Sequence, residues 1–283
     1  MTEQTPLDRF KQALTGTARA LAREDEVEVA WSADSPSQAG KNFRVPLPGR
    51  TLPHDQARQA RGFADSFALR LRHHDEGVHS SGAPREPIAR ACYDAIEQTR
   101  YEALGATRYL GIRANLTSAV EMRTASDPIA RATEASQVPL PTALSLMLRE
   151  ALTGDPIPER AREGVDMVRE EIEAKAGMDI ASMADNLEDQ SAFQKLALDM
   201  LRHLDLTLPE DAEDSGDDTG EDEGEAPEED ETGEDEQDEG DAEPQSSEIA
   251  GEPAQGESDA DTDGEEGGEQ EMGEGDPADD GEE

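Results

Sequence analysis

Apolar side chains in the first 208 residues recur mostly every third or fourth position, the spacing that gives a helix one apolar face. The first stripe consists of Leu7, Phe10, Leu14, Ala18 and Leu21. Comparable stripes occupy residues 60–71, 88–99, 109–120, 140–151, 165–172 and 193–204. The pattern predicts a mainly α-helical body whose core is formed by these stripes.

Several residues predict where these helices begin and end. His54 and Asp55 are expected to cap the second helix. A loop is predicted over residues 77–87, and Gly105 is expected to interrupt the helical run that follows. Gly177 is likewise expected to end the penultimate helix.

The period changes in one short region near the N-terminus. Over residues 27–31 apolar and polar side chains alternate, as they do along a half-buried strand. Residues 43–45 form a second short candidate strand, and residues 32–40 between them are rich in turn-forming types. An isolated hairpin is marginally stable, so its apolar face is expected to lie on the helices. The predicted fold class is mainly α, a helical domain with one small β-hairpin.

The last quarter of the chain, residues 209–283, has a different composition. It contains 37 Asp and Glu among 75 residues and no Lys, Arg or His, and Ile249 and Met272 are its only large apolar residues. So little apolar surface cannot offset the roughly 1–2 kcal/mol per residue that ordering the backbone costs, and like charges extend the chain. The sequence therefore predicts a helical body over residues 1–208 and a disordered acidic tail or linker over residues 209–283.

The charge balance restricts the kinds of partner. The whole chain has 69 Asp and Glu against 25 Lys and Arg, a formal net charge of −44. Nucleic acids and anionic membranes are recognised through Lys and Arg, so we expect neither as a partner. No stretch reaches the roughly 18–20 apolar residues of a membrane-spanning helix. With no recognisable signal peptide and a single cysteine, the chain is expected to be cytoplasmic.

The common catalytic motifs are missing from the sequence. It contains no Gly-x-x-x-x-Gly-Lys-Ser/Thr loop for phosphates, no Gly-x-Ser-x-Gly and no His-Glu-x-x-His. We therefore expect no ATP site and identify no catalytic, cofactor-binding or metal-binding residue. Cys92 lies on the apolar stripe at 88–99 and is expected to be a small buried hydrophobic residue, not a nucleophile.

The densest group of possible metal ligands is the segment 72–79, which contains three histidines, Asp75 and Glu76. Imidazole and carboxylate groups bind transition metals such as cobalt or zinc. Adjacent His73 and His74 point about 100° apart on a helix, however, and the spacing matches no established site. We favour a solvated helix end, where protonated histidines are stabilised by the helix dipole, over a metal site.

Two further groups of charged residues carry weaker signals. Residues 259–264 begin like a calcium-binding EF-hand loop, but the twelfth position is Gln270 where a Glu is wanted. Diffuse cation binding by the tail is the alternative that we favour. Five arginines of the body lie within one region: Arg100, Arg108, Arg113, Arg123 and Arg131. A solvated helix face is the simpler interpretation, and binding of an acidic partner or of the chain's own tail is the alternative.

Three blocks of the body resemble a known family. They are Arg-Gly-Phe-Ala-Asp-Ser-Phe-Ala-Leu-Arg-Leu-Arg-His-His-Asp at 61–75, Ala-Cys-Tyr-Asp-Ala-Ile-Glu-Gln-Thr-Arg-Tyr-Glu-Ala-Leu-Gly at 91–105 and Gly-Ile-Arg-Ala-Asn-Leu at 111–116. These blocks are similar to the front part of the CobT subunit of aerobic cobaltochelatase. The order of a helical domain followed by a long segment rich in Asp, Glu and Gly agrees as well.

The resemblance implies a complex that uses ATP to insert cobalt(II) into hydrogenobyrinic acid a,c-diamide during aerobic cobalamin biosynthesis. It implies that this chain is a non-ATPase subunit of a hetero-oligomer with an AAA+ ATPase subunit and a large corrin-binding subunit. ATP and cobalt(II) would be used by the complex, with no cofactor bound by this chain.

The family pattern continues beyond the acidic segment into a von Willebrand A-like domain with an Asp-x-Ser-x-Ser metal site. That motif does not occur in this sequence. We therefore expect a fragment or a truncated member, and carry over no metal-binding residue.

Two other classes of function remain as alternatives. The chain could be an acidic chaperone-like interaction protein or a divalent-cation buffer without an enzyme role, with the tail as its functional element. It could also be an enzyme that uses the histidines of the segment 73–79, which is the interpretation that we favour least.

Overall fold

The computed structural model describes residues 4–207, which form eight α-helices and one three-stranded sheet. The helices are α1 Pro6–Ala22, α2 His54–His73, α3 Glu76–Ser81, α4 Pro87–Arg108, α5 Leu110–Ser126, α6 Leu140–Thr153, α7 Glu159–Met183 and α8 Gln190–His203. The strands are β1 Glu28–Ser32, β2 Ser37–Ala39 and β3 Asn42–Pro46. The predicted mainly α-helical fold with one small sheet is confirmed, whereas the predicted disordered tail at 209–283 lies outside the described residues.

The strands pair differently from the hairpin predicted between residues 27–31 and 43–45. β1 lies parallel to β3, and β2 lies antiparallel on the other side of β3. The two predicted strands do pair, but in parallel, so the predicted hairpin between them is wrong and the hairpin of the structure joins β2 to β3. The turn-rich segment contains two turns: Ser32 and Asp34 are hydrogen-bonded in the first, and Gly40 adopts a φ of 55° in the second. Strand β2 between these turns lacks the apolar alternation that would have predicted it.

Several predicted helix boundaries also differ from the structure. The helix α2 begins after Pro53, and neither His54 nor Asp55 caps it with a side chain. The predicted loop at 77–87 contains the short helix α3, whose N-cap is Asp75. The helix α7 runs through Gly177 to Met183, so this glycine does not end it.

Two glycines inside helices let neighbouring helices approach closely. A Cβ atom on Gly105 would lie 2.3 Å from Leu69 of α2, and a Cβ on Gly62 would lie 2.1 Å from the backbone oxygen of Asn115 in α5. The prediction that Gly105 interrupts its helix is therefore wrong. The chain breaks four residues later, at Tyr109, whose extended backbone separates α4 from α5.

The helix α4 contributes to both apolar cores of the described chain. Its first half joins a core shared with α6, α7 and α8, and its second half joins a core shared with α1, the sheet, α2 and α5. Cys92, Tyr93 and Ile96 belong to the first core, whereas Tyr101 and Ala106 belong to the second. Together with α5, which places Val120 in the first core and Leu116 in the second, this helix connects the two halves of the fold.

The predicted stripe at 88–99 is only partly correct. Cys92 and Ile96 are fully buried, but Ile88 in the first turn of α4 is 60% exposed. The buried face begins one residue later, at Ala89. The stripes at 140–151 and 193–204 face the first core, as predicted.

A matched pair of substitutions tests which face of α4 is buried. Ile96→Asp places an unpaired carboxylate in the core and is expected to lower the free energy of unfolding by about 4 kcal/mol or more. Ile88→Asp introduces the same group on the exposed face and is expected to change that energy by less than about 0.5 kcal/mol. Urea unfolding of both variants measures the difference, and similar losses for the two would contradict the assignment.

Candidate functional site

A buried carboxylate–guanidinium pair lies in the middle of α4. Arg100 is 1% exposed, and its Nε donates to Glu97 Oε2 at 2.8 Å while its Nη2 donates to Glu97 Oε1 at 2.8 Å. Arg100 also donates to the backbone oxygens of His73 and Leu187. Its guanidinium thus joins α4 to the end of α2 and to the segment that follows α7.

The same carboxylate accepts a hydrogen bond from His74, whose Nδ1 lies 2.8 Å from Glu97 Oε1. The other ring nitrogen of His74 lies 3.2 Å from a carboxylate oxygen of Glu76. Burial acts to raise the pKa of Glu97, but the hydrogen bonds from Arg100 and His74 outweigh it and lower that pKa below its ordinary value. Glu97 is therefore held as a carboxylate.

A second buried ion pair lies one turn further along α4. Arg123 of α5 donates through Nη1 and Nη2 to the two oxygens of Glu102, each at 2.9 Å. Ser66 of α2 and Gln98 also donate to Glu102. Burial acts to raise the pKa of Glu102, but the charge and hydrogen bonds of Arg123 lower it below its ordinary value. This pair ties α2, α4 and α5 together.

A third ion-pair cluster closes the end of α6. Asp155 accepts hydrogen bonds from Arg149 Nη2 at 2.5 Å and from Arg113 Nε at 2.7 Å. Arg149 also donates to Thr117 Oγ1 at 3.0 Å. Arg149 is 8% exposed, and burial lowers the pKa of its guanidinium in spite of the Asp155 carboxylate.

A cavity of about 190 Å³ lies between α4, α5 and α6, next to these ion pairs. Arg123, Arg149 and Glu102 line it together with alanine and leucine side chains. Thr99 of α4 and Ser145 of α6 also line the cavity, and their hydroxyl oxygens are 3.0 Å apart. Fixed charges, hydroxyl donors and an apolar wall are the features of a binding site, and we treat this cavity as the candidate functional site.

One carboxyl group outside the cavity is buried without a cation directly bonded to it. Asp65 of α2 is 2% exposed and accepts a hydrogen bond from Asn115 Nδ2 at 2.8 Å. Burial raises the pKa of Asp65 to about 6, and this hydrogen bond and the charge of Arg61 offset the rise only in part. A group with such a pKa changes its charge just below neutral pH.

The histidine segment is not the solvated helix end that the sequence favoured. His79 is 7% exposed, stacks on Tyr93 with 4.4 Å between the rings and lies 2.8 Å from Asp94. Burial and nearby arginines lower the pKa of His73 to about 4, and its Nε2 is buried without a hydrogen-bond partner. In the described part of the chain, no group of three or more His, Cys, Asp or Glu side chains is arranged to hold a metal ion.

The five arginines do not share one solvated face either. Arg100 is buried, Arg123 pairs with the buried Glu102, and Arg113 pairs with Asp155. Arg108 forms an ion pair with Glu188, and Arg131 is exposed. Most of this group therefore ties helices together, because each guanidinium can reach the carboxylate of another turn or element.

Two other sequence candidates have clear outcomes. Cys92 is fully buried, and burial raises the pKa of its thiol to about 12, so the prediction of a buried hydrophobic residue is confirmed. The EF-hand-like stretch at 259–264 lies outside the described residues.

Sequence reasoning placed Thr99 on the stripe at 88–99 and Arg123 among the five arginines, but it identified neither the burial of Arg100 nor the cavity that Arg149 lines. Arg149 lies within the apolar run of α6, and Thr99 and Arg100 lie seven and eight residues after Cys92, on its face of α4. A polar or charged side chain on an otherwise apolar stripe was the available signal. This signal is weak, because long charged side chains usually extend to the solvent.

Comparison with known proteins identifies the family. The model of the family described as cobalamin biosynthesis protein CobT matches residues 4–281, nearly the whole chain. The chain belongs to this family, and the resemblance of its sequence blocks to the CobT subunit of cobaltochelatase is confirmed. The protein is therefore involved in cobalamin biosynthesis. No solved structure matches the chain.

One further observation concerns membranes. None of the helices within residues 4–207 combines the length and the apolar character that crossing a bilayer requires.

The pKa of Asp65 predicts a specific pH dependence. Because the folded-state pKa of about 6 exceeds the ordinary value of 3.8, ionisation of Asp65 opposes folding. Its contribution is most favourable below pH 4 and is lost as the pH rises through 6, by roughly 2–3 kcal/mol in total. Asp65→Asn is expected to remove this loss and to be more stable than the wild type at pH 7.

Urea unfolding between about pH 4 and pH 7 measures this difference. Asp55→Asn, an exposed position on the same helix, is the control and is expected to keep the wild-type pH profile. If Asp65→Asn also shows the wild-type profile, the carboxyl group of Asp65 does not titrate as its burial indicates.

Proposed function

We propose that this chain is a non-ATPase subunit of the ATP-dependent cobaltochelatase that inserts cobalt(II) into hydrogenobyrinic acid a,c-diamide in aerobic cobalamin biosynthesis. The observation that carries the proposal is the family match over residues 4–281. In this proposal the chain acts in the cytoplasm, with an AAA+ ATPase subunit and a large corrin-binding subunit.

The chemistry of the chain supports an assembly role. The sequence contains no phosphate-binding Gly-x-x-x-x-Gly-Lys-Ser/Thr loop, so the proposal assigns ATP hydrolysis to the AAA+ partner. The buried carboxylates of α4 are permanently paired with arginines, which suits them to hold a shape and not to exchange protons. Cobalt(II) is a substrate of the complex in this proposal.

The acidic segment has a place in this proposal. Its 37 acidic residues without any Lys or Arg are suited to attract divalent cations and basic protein surfaces. We propose that residues 209–283 act as a linker that raises the local concentration of cobalt(II) near the complex. The alternative, a cation buffer or acidic chaperone without an enzyme role, rests on this same composition.

Reconstitution of the complex tests the proposal. The full chain is co-expressed with the AAA+ and corrin-binding subunits, and we expect the three to co-purify. Cobalt insertion, followed by the absorbance change of the corrin, is expected to require ATP and all three subunits. The isolated chain is the control and is expected neither to bind nor to hydrolyse ATP.

Two results would argue against the proposal. Cobalt insertion at the same rate without this chain would remove its role in the reaction. Tight, stoichiometric cobalt binding by the isolated chain, without co-purification, would support the buffer alternative instead.

A further inference from the structure

We propose that the cavity between α4, α5 and α6 binds a small carboxylic acid with a short apolar chain, whose carboxylate meets the guanidinium of Arg149. This inference concerns a ligand of the isolated chain and does not depend on the chelatase role.

Arg149 has hydrogen-bond donors that its protein partners do not use. Its side chain is more than nine-tenths buried, and it lines the cavity. Within residues 4–207, its Nη2 donates to Asp155 and Thr117, whereas Nε and Nη1 form no hydrogen bond. These two N–H groups keep contact with open space, and a ligand in the cavity that Arg149 lines can accept hydrogen bonds from them.

The carboxylates that line the cavity already accept hydrogen bonds from protein donors. Glu102 accepts hydrogen bonds from Arg123, Ser66 and Gln98. Asp127 accepts from the backbone of Ile129 and from Thr142. The lone pairs of these two residues are thus directed at protein donors, and they leave the unused N–H groups of Arg149 to an external acceptor.

The charges around the cavity nearly cancel, which limits how strongly the cavity attracts an anion by charge alone. Two guanidinium groups, of Arg123 and Arg149, line the cavity together with two carboxylates, of Glu102 and Asp127. A ligand anion therefore enters a region that is close to neutral. An anion that also fills the apolar part of the cavity gains burial energy that a bare inorganic anion does not.

The wall and the volume define the rest of the ligand. The apolar wall consists of Ala95, Ala103, Ala106, Leu116, Val120 and Leu146. A volume of about 190 Å³ has room for several water molecules at ~30 Å³ each, or for an acid of a few carbon atoms. The hydroxyl groups of Thr99 and Ser145 lie on the same cavity, where Thr99 donates to the backbone oxygen of Ala95 and is hydrogen-bonded to Ser145.

Calorimetric titration of the full chain tests the proposal with three probes. The first is 4-methylpentanoate, the second is the neutral 4-methylpentanamide and the third is inorganic phosphate. The acid is expected to bind at one site per chain, and the amide at least about tenfold more weakly, which corresponds to ~1.4 kcal/mol. Phosphate is expected to show no binding at the concentrations that saturate the acid.

Two variants locate the site, and one serves as the control. Arg149→Met is expected to weaken binding of the acid by at least about tenfold, because it removes the cation. Ala95→Leu keeps every ion pair and fills the cavity with a larger side chain, so it is expected to abolish binding even if Arg149→Met folds poorly. Arg90→Met, on α4 but outside the cavity, is expected to bind the acid as the wild type does.

Three results would overturn the proposal. One is equal affinity for the acid and the amide. Another is undiminished binding by Ala95→Leu. The third is the absence of saturable binding up to about 10 mM acid, which would mean that the cavity holds water only.

Discussion

The buried charge in the middle of α4 is the constraint on which the rest of the structure depends. Residues 97–102 lie where the two apolar cores meet, and both Glu97 and Glu102 are fully paired there with arginines. A buried ion pair adds little net stability over apolar residues of the same volume, but loss of one partner leaves an isolated charge at high cost. We therefore regard these pairs as fixing how the two halves of the fold meet.

Buried ion pairs also account for the cavity between α4, α5 and α6. An apolar helix interface closes until its side chains interlock, whereas the Glu102–Arg123 pair and the Arg149–Asp155 pair place rigid polar groups between α4, α5 and α6. The space between these groups stays open and keeps the unused donors of Arg149. The cavity therefore combines charged side chains with an apolar wall, the setting on which the proposed binding of a small acid depends.

The sequence predicted the features that depend on local periodicity. The mainly α fold and the burial of Cys92 follow from side-chain spacing and are confirmed, and the helical stripes are confirmed except at positions such as the exposed Ile88. The predicted hairpin is wrong because the turn-rich segment contains an additional strand, β2, without apolar alternation. The burial of Arg100 and Arg149 could not be predicted, since it depends on carboxylates and backbone oxygens that only the tertiary fold brings within reach.

The most direct measurement is urea unfolding of Arg100→Met beside Arg90→Met, two arginines on α4 of which one is buried and one is on the surface. Arg100→Met leaves Glu97 buried without its guanidinium and is expected to cost about 3–5 kcal/mol. Arg90→Met breaks an exposed pair and is expected to cost less than about 1 kcal/mol. In the double variant Glu97→Gln/Arg100→Met, part of the loss is expected to be recovered, because no unpaired charge remains. Equal, small losses for the two single variants would show that the buried pair does not hold the fold together.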